Sequence, residues 1–302
     1  MPSFVTGQVQ VSVPATSANL GPGYDSLGLA LDFRDEVSAQ VTDGDLAITV
    51  EGAGEGEVPL DERHLVHRAM TQAFEEMGCP VPGVRLHCRN RIPHGRGMGS
   101  SSAAIVAGIC AARGLVAGGS LLMDDDAVFA LAARIEGHPD NVAPALYGGF
   151  TIAREEHGRF HAATVAVDPR VQVVVFVAPE PVATTVARGL LPATVPHAEA
   201  AANAGRAALL VAALSRQPEL LLPATEDHLH QRYREPAMPD SIRLVSELRG
   251  DGVAAVVSGA GPTVLAFVDA STSAEVEKRV PSGWEVMALA VDRDGVRVSV
   301  GD

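Results

Sequence analysis

The chain has 302 residues, 47% of them hydrophobic and 20% charged, a length beyond the usual single core that predicts two domains or one enlarged domain. Its formal charge of -14 excludes a broad nucleic-acid-binding face, because neutralising phosphates requires clustered Lys and Arg and the arginines here are scattered. No run of about 18 apolar residues offers a membrane span. The N-terminal stretch lacks a basic start and is interrupted by Pro14, Asn19, Gly21 and Pro22, so no secretory leader is expected. Cys79, Cys88 and Cys110 have no metal-ligand spacing, and an odd count suits a reducing compartment, the cytoplasm.

Taken in chain order, residues 8–13 (QVQVSV) and 46–51 (LAITVE) alternate with the two-residue period of half-buried strands. From residue 61 to 77, Leu65, Ala69, Met70, Ala73, Phe74 and Met77 recur at helical spacing, and Gly78 and Pro80 stop the helix. Residues 84–88 (VRLHC) read as a strand that delivers a glycine-rich loop at 93–99. The run from Ser100 to Val116 is apolar nearly all round, which predicts a helix buried between layers. Asp124 to Asp126 then supply first-turn acids for a helix reaching Glu136, ended by GHPDN. Two short strand-like segments follow Gly148 and Gly149, and the pattern restarts after Asp168-Pro169. Strand 171–178, helices 197–215, 219–232 and 240–250, strands 253–258 and 263–268 around GAGP, helix 273–279 and strand 284–291 make the split βαβ order of a ferredoxin-like domain. The expected boundary is residue 167, with domains at 1–167 and 168–302. No repeat or low-complexity segment interrupts either.

The segment PHGRGMGSSSAA carries the strongest chemical signal. Its glycines let backbone amides approach an anion, and the helix that follows presents its positive end to the same place. It is not a Walker A loop, because no Lys precedes the serines. A tight strand-to-helix connection would look similar, but Ser100, Ser101 and Ser102 add an N-cap hydroxyl and at least one more for phosphate or metal.

This loop resembles motif 2 of the galactokinase, homoserine, mevalonate and phosphomevalonate kinase (GHMP) superfamily. VPATSANLGPGYDSLGLALD (Val13 to Asp32) is similar to motif 1 in the wording of homoserine kinases, and SGAGPTVLAF (Ser258 to Phe267) to motif 3. EGHPDNVAPALYGG, TTVARGLLP and LHQRYREP resemble further homoserine kinase segments. Met98 stands where the family usually has Leu, a volume-conserving change. TT at 184–185 shifts the usual Ser-Thr pair by one position. The resemblance implies an α+β, two-domain GHMP kinase fold, with an N-terminal ribosomal-protein-S5-domain-2-like nucleotide domain and a C-terminal ferredoxin-like α/β sandwich.

It also implies an ATP- and Mg²⁺-dependent kinase acting on homoserine, in a homodimer. ATP falls to Pro93, His94, Gly95, Arg96, Gly97, Met98, Gly99, Ser100, Ser101, Ser102 and Ala103, and the metal to Ser101 and Glu136, since Mg²⁺ takes few protein ligands and completes its shell with phosphate and water. Asn19 and Asp25 meet the substrate, with Asp25 suited to its ammonium group, although both types also serve turns. Arg188 and Arg234 hold the carboxylate in bidentate forks, with surface ion pairing as the alternative. His138, Thr184 and Gly259 complete the substrate set. Asp140 and Asn141 lie at the reacting hydroxyl, where either Asp140 is a base or Asn141 positions the alcohol without one; the second is favoured because a loose transition state needs little deprotonation.

Two rival readings remain at this level. A superfamily relative acting on mevalonate or shikimate would use the arginines but leave Asp25 without an ammonium partner. A catalytically silent sensor on the same scaffold would have no need of Glu136 and Asp140.

Overall fold

The computed structural model describes residues 3–301. Strand β1 (Val9–Ala18) alternates Val9, Val11 and Val13 into the core until its register with β2 (Leu27–Thr42) slips between Pro14 and Ala15; beyond the slip every residue to Ala18 is buried. β2 runs for 16 residues because its two ends serve different neighbours: Leu27–Leu29 pair with β5 (Phe150–Glu156), and Glu36–Thr42 pair with β4 (Gly83–Asn90). β3 (Ala47–Gly52) lies parallel to β4 on one edge, and β6 (Arg159–Val165) closes a hairpin with β5.

Helix α2 (Ser100–Leu115) packs on β1 and β2 of this sheet, and α1 (Leu65–Glu76) packs against α2. Gly108 is where they touch, since a Cβ there would sit 2.3 Å from the Val66 carbonyl. As the all-round apolar pattern predicted, α2 is buried on most sides. The short α3 (Gly119–Leu122) leads to α4 (Asp125–Glu136), whose N-terminus is capped by the Asp124 carboxylate accepting from the Ala127 N–H at 2.8 Å. α5 (Val142–Tyr147) follows GHPDN.

The second sheet contains β7 (Gln172–Val177), β8 (Ala254–Val257), β9 (Val264–Val268) and β10 (Glu285–Leu289), ordered β10-β7-β9-β8 and antiparallel throughout. This is the ferredoxin-like order anticipated from the sequence. Alternate residues of β7 enter different cores. Val173 and Val175 join α7 (His197–Ser215) and α8 (Leu221–Ala224) in a core continuous with that of the first sheet, while Val174 and Phe176 face α9 (Pro239–Gly250) and α10 (Ser273–Glu277). α6 (Thr184–Gly189) follows β7. No helix among the described residues is long and apolar enough to cross a membrane.

Two sequence expectations need correction. The helix expected at 219–232 is a 3-10 turn, α8 and then irregular chain: Pro223 interrupts it, and the Asp227 carboxylate takes the N–H groups of Leu229, His230 and Gln231, starting a separate 3-10 helix at Gln231–Ala237. The partition at residue 167 also leaves out a return of the chain. β11 (Arg297–Val300) pairs with β1 as an edge of the first sheet. It is anchored by the buried Arg34–Asp292 ion pair, with Arg34 Nη2 donating to the Gly295 carbonyl at 2.6 Å.

Candidate active site

The segments 14–26, 93–99 and 258–261, far apart in sequence, converge between the two sheets. Gly95, Gly97 and Gly99 all have φ between +65° and +78°, a region closed to most side chains. At Gly97 the reason is contact as well as conformation, for a Cβ would lie 2.3 Å from the Ser258 carbonyl. The Thr16 N–H donates to the Met98 carbonyl at 3.0 Å, and the Gly259 N–H to the Ala18 carbonyl at 2.9 Å. Met98 fills the core beneath the loop. The Arg96 guanidinium donates to the carbonyls of His94, Ala178 and Pro179, tying the loop to the end of β7.

Gly99, in the left-handed region, is the N-cap of α2 and has no side-chain cap, so the serine triplet does not supply the N-cap hydroxyl expected of it. Instead Ser101 and Ser102 donate their hydroxyls to Glu136 Oε1, at 2.6 and 2.9 Å, across from the end of α4. The first-turn amides of Ser100, Ser101 and Ser102 keep no intrahelical acceptor and face outward with the positive end of α2. Among the described residues no three His, Cys, Asp or Glu side chains converge on a metal position. A carboxylate beside two hydroxyls at a helix N-terminus fits a cation that takes few protein ligands and completes its shell with other oxygens, as Mg²⁺ does.

Two cavities meet at Ser100 and Ser101. One, of about 280 Å³, is an apolar slot between Val58, Pro59, Leu65, Val66 and Ala104, with Asp35, Asn90, Arg63, His64 and His94 among its polar groups. Burial pushes the pKa of His64 and of His94 below the usual imidazole value. Burial also raises Asp35 to about 6, against the N–H bonds it accepts from Ile92 and Arg91. The second cavity, of about 240 Å³, is polar and lies between Glu136, His138, Asp140 and Asn141 on one side and Arg188, Arg234 and the 259–261 turn on the other, with Pro93 outside it and Thr184 at its rim.

Arg234 is fully buried. Its Nη1 donates to the Gly259 carbonyl at 2.9 Å, while Nε and Nη2 have no partner. Arg188 and Asp25, expected to grip opposite ends of a substrate, grip each other in a bidentate pair at 2.7 and 3.1 Å. Asn19 performs the turn role: its Oδ1 accepts the Asp25 N–H at 2.8 Å, and both residues have positive φ. His138 Nδ1 and Asp140 Oδ1 are 2.8 Å apart. Burial would lower the His138 pKa, but the hydrogen bond and charge of Asp140, with the charge of Glu136, leave it raised. Asp140 Oδ1 also accepts the Asn141 N–H, and Oδ2 is buried without a partner.

Sequence reasoning missed Tyr24, whose hydroxyl accepts from Arg188 Nη1 at 2.9 Å and whose ring lies 5.7 Å from both guanidinium carbons. It also missed Thr16, Asp35, Asn90 and His64. An aromatic residue beside Asp25 in a glycine-rich loop was the one available signal for Tyr24.

Residues 64–149 match the family model "GHMP kinases N terminal domain", and residues 199–286 match "GHMP kinases C terminal". Together with two sheets joined over the glycine-rich loop, these matches make the chain a GHMP kinase. It is 55% identical to a homoserine kinase of Streptomyces coelicolor, covering 98% of this chain and 96% of that one, and 50% identical to a homoserine kinase of Clavibacter michiganensis, covering 99% and 97%. The crystal structure of a homoserine kinase from Cytophaga hutchinsonii superposes with a TM-score of 0.86 at 26% identity, covering 97% of this chain and 98% of that one. The chain belongs to the homoserine kinase family.

Proposed function

We propose that this chain transfers the γ-phosphate of ATP to the side-chain hydroxyl of homoserine. The observation that carries the reading is the polar cavity against the phosphate loop, where a fully buried Arg234 has two unpartnered nitrogens beside an Asp25–Arg188 pair. A buried guanidinium with open donors suits a carboxylate, because an unmatched buried polar group costs about 1–3 kcal/mol. A zwitterionic amino acid can open the neighbouring pair by exchange, its carboxylate joining Arg188 and Arg234 and its ammonium replacing Arg188 on Asp25. Mevalonate offers no ammonium for that exchange.

The nucleoside lies in the apolar slot, so that its phosphates cross Ser100 and Ser101 on the amides of the 95–103 segment. Ser101 and Glu136 would hold Mg²⁺, which would supply neutralisation of phosphate charge when bound. The acceptor oxygen bonds to the γ-phosphorus as the bond to the β,γ-bridging oxygen breaks and ADP departs. The hydroxyl proton passes to the transferred phosphoryl group rather than to a side chain. Asp140 is engaged through Oδ1 with His138 and the Asn141 N–H, so it shapes the turn while Asn141 orients the alcohol. Synthesis of O-phosphohomoserine in the cytoplasm, by a homodimer, is the setting that follows.

The test is Arg234→Ala, assayed by ADP release. A carboxylate grip remote from the reacting oxygen holds ground and transition states alike, so the homoserine KM should rise about ten- to a hundredfold while the ATP KM stays constant. An unchanged homoserine KM contradicts the placement of the carboxylate.

A further inference from the structure

We propose that Thr16 is a positioning residue for phosphoryl transfer: its hydroxyl fixes the side-chain amide of Asn141 so that the amide nitrogen faces the acceptor alcohol. This rests on the reading of Asn141 as the contact for that alcohol. Thr16 follows the register slip between Pro14 and Ala15, is fully buried, and donates its hydroxyl to Asn141 Oδ1 at 2.8 Å across 125 residues of sequence. Although Asn141 is the N-cap residue of α5, its side chain caps nothing, and Thr16 is its amide's one hydrogen-bond partner among the described residues.

An amide held by nothing can rotate by half a turn with almost no change of shape. Rotated, Asn141 would present a carbonyl oxygen to the transferring phosphoryl group, a repulsion where a donor is needed. The Thr16 hydroxyl discriminates between the two states. In the rotated state it could accept from the amide, but its own hydrogen, buried and with no other hydrogen-bond partner among the described residues, would be unsatisfied. The same hydroxyl touches the phosphate loop: a Cβ on Gly99 would lie 1.9 Å from Thr16 Oγ1 and 3.2 Å from Asn141 Oδ1. One side chain thereby sets the acceptor amide against the cradle that holds the donor, with the Thr16 N–H bond to Met98 fixing its height.

The test is a double-mutant cycle in kcat at saturating ATP and homoserine, using Thr16→Val, Asn141→Ala and the combination, with Thr16→Ser as the conservative variant. Thr16→Val keeps the shape and removes the hydroxyl. Its kcat should fall about ten- to a hundredfold, the scale of a small misplacement of reacting groups, with the ATP KM within about threefold of the parent. Thr16→Ser should recover most of the loss, and the double variant should be no slower than Asn141→Ala. Multiplying losses in the double variant, a near-normal kcat for Thr16→Val, or a Thr16→Ser as slow as Thr16→Val would each overturn the proposal. If Asn141→Ala alone keeps full kcat, the role of Asn141 fails in that single variant, and Thr16 cannot be acting through it.

Discussion

At the scale of single residues, two of the site's buried ionisable groups, Arg234 and Asp35, have surroundings that treat them oppositely. Arg234 is left with open donors, whereas the Asp35 carboxyl accepts N–H bonds from Arg91 and Ile92 and is nevertheless pushed up to about 6 by burial. The folded protein therefore keeps a proton on Asp35 that the unfolded chain, near 3.8, has already lost. The contribution is fully favourable below 3.8 and is lost as pH rises through about 6, a swing of roughly 3 kcal/mol at 1.36 per pKa unit. Relative to Asp35→Asn, which cannot ionise, the parent should lose about that much stability between pH 4 and pH 7 in denaturant unfolding. A difference that stays flat over this range contradicts the assignment. Arg234 was legible in the sequence because a guanidinium in a family segment implies a carboxylate. Asp35 and Thr16 were not, because their partners lie 56 and 125 residues away and neither has a spacing that reveals them.

At the scale of elements, the glycine-rich loop at 93–99 is held from both sides, by Thr16 on β1 and by the turn between β8 and β9. Gly97→Ala adds a Cβ 2.3 Å from the Ser258 carbonyl at a φ of +78°, so the loop must leave that turn. Its kcat/KM for ATP should fall about ten- to a hundredfold, since left-handed strain and displacement together cost on the order of 1–3 kcal/mol. Gly158→Ala is the control, with the same backbone sign and no atom within 4 Å, and should lower stability by about 1 kcal/mol without touching kinetics. Equal kinetics for the two variants would show that the loop tolerates displacement. Helices α2 and α4 were legible because their apolar spacing and acidic first turn act locally. β2 was not: Asp32, Arg34, Asp35 and Glu36 break its alternation, and Arg34 and Asp35 face inward only because Asp292 and the backbone at 91–92 meet them from distant segments.

At the scale of the whole molecule, the chain leaves the second sheet after β10 and returns to β1, so the two sheets are bound by chain path as well as by the site between them. The return depends on Asp292, which pairs with the buried Arg34 and accepts the Gly295 N–H at 2.9 Å. Asp292→Ala strands that guanidinium and should cost about 3–5 kcal/mol in unfolding free energy, against less than 1 kcal/mol if the return were incidental. The ferredoxin-like order was legible in the strand and helix sequence, whereas the return strand was hidden because the four residues of β11 show partners only once β1 is placed beside them. The claim that joins all three scales is that this cavity selects an amino-acid alcohol by its paired charges. The most direct measurement is kcat/KM for ADP release over homoserine, 4-hydroxybutyrate, mevalonate, shikimate and galactose. Homoserine should be highest, with 4-hydroxybutyrate, which keeps the carboxylate and hydroxyl but lacks the ammonium, at least about tenfold lower; a higher value for mevalonate, shikimate or a sugar, or equal values for homoserine and 4-hydroxybutyrate, would contradict the account.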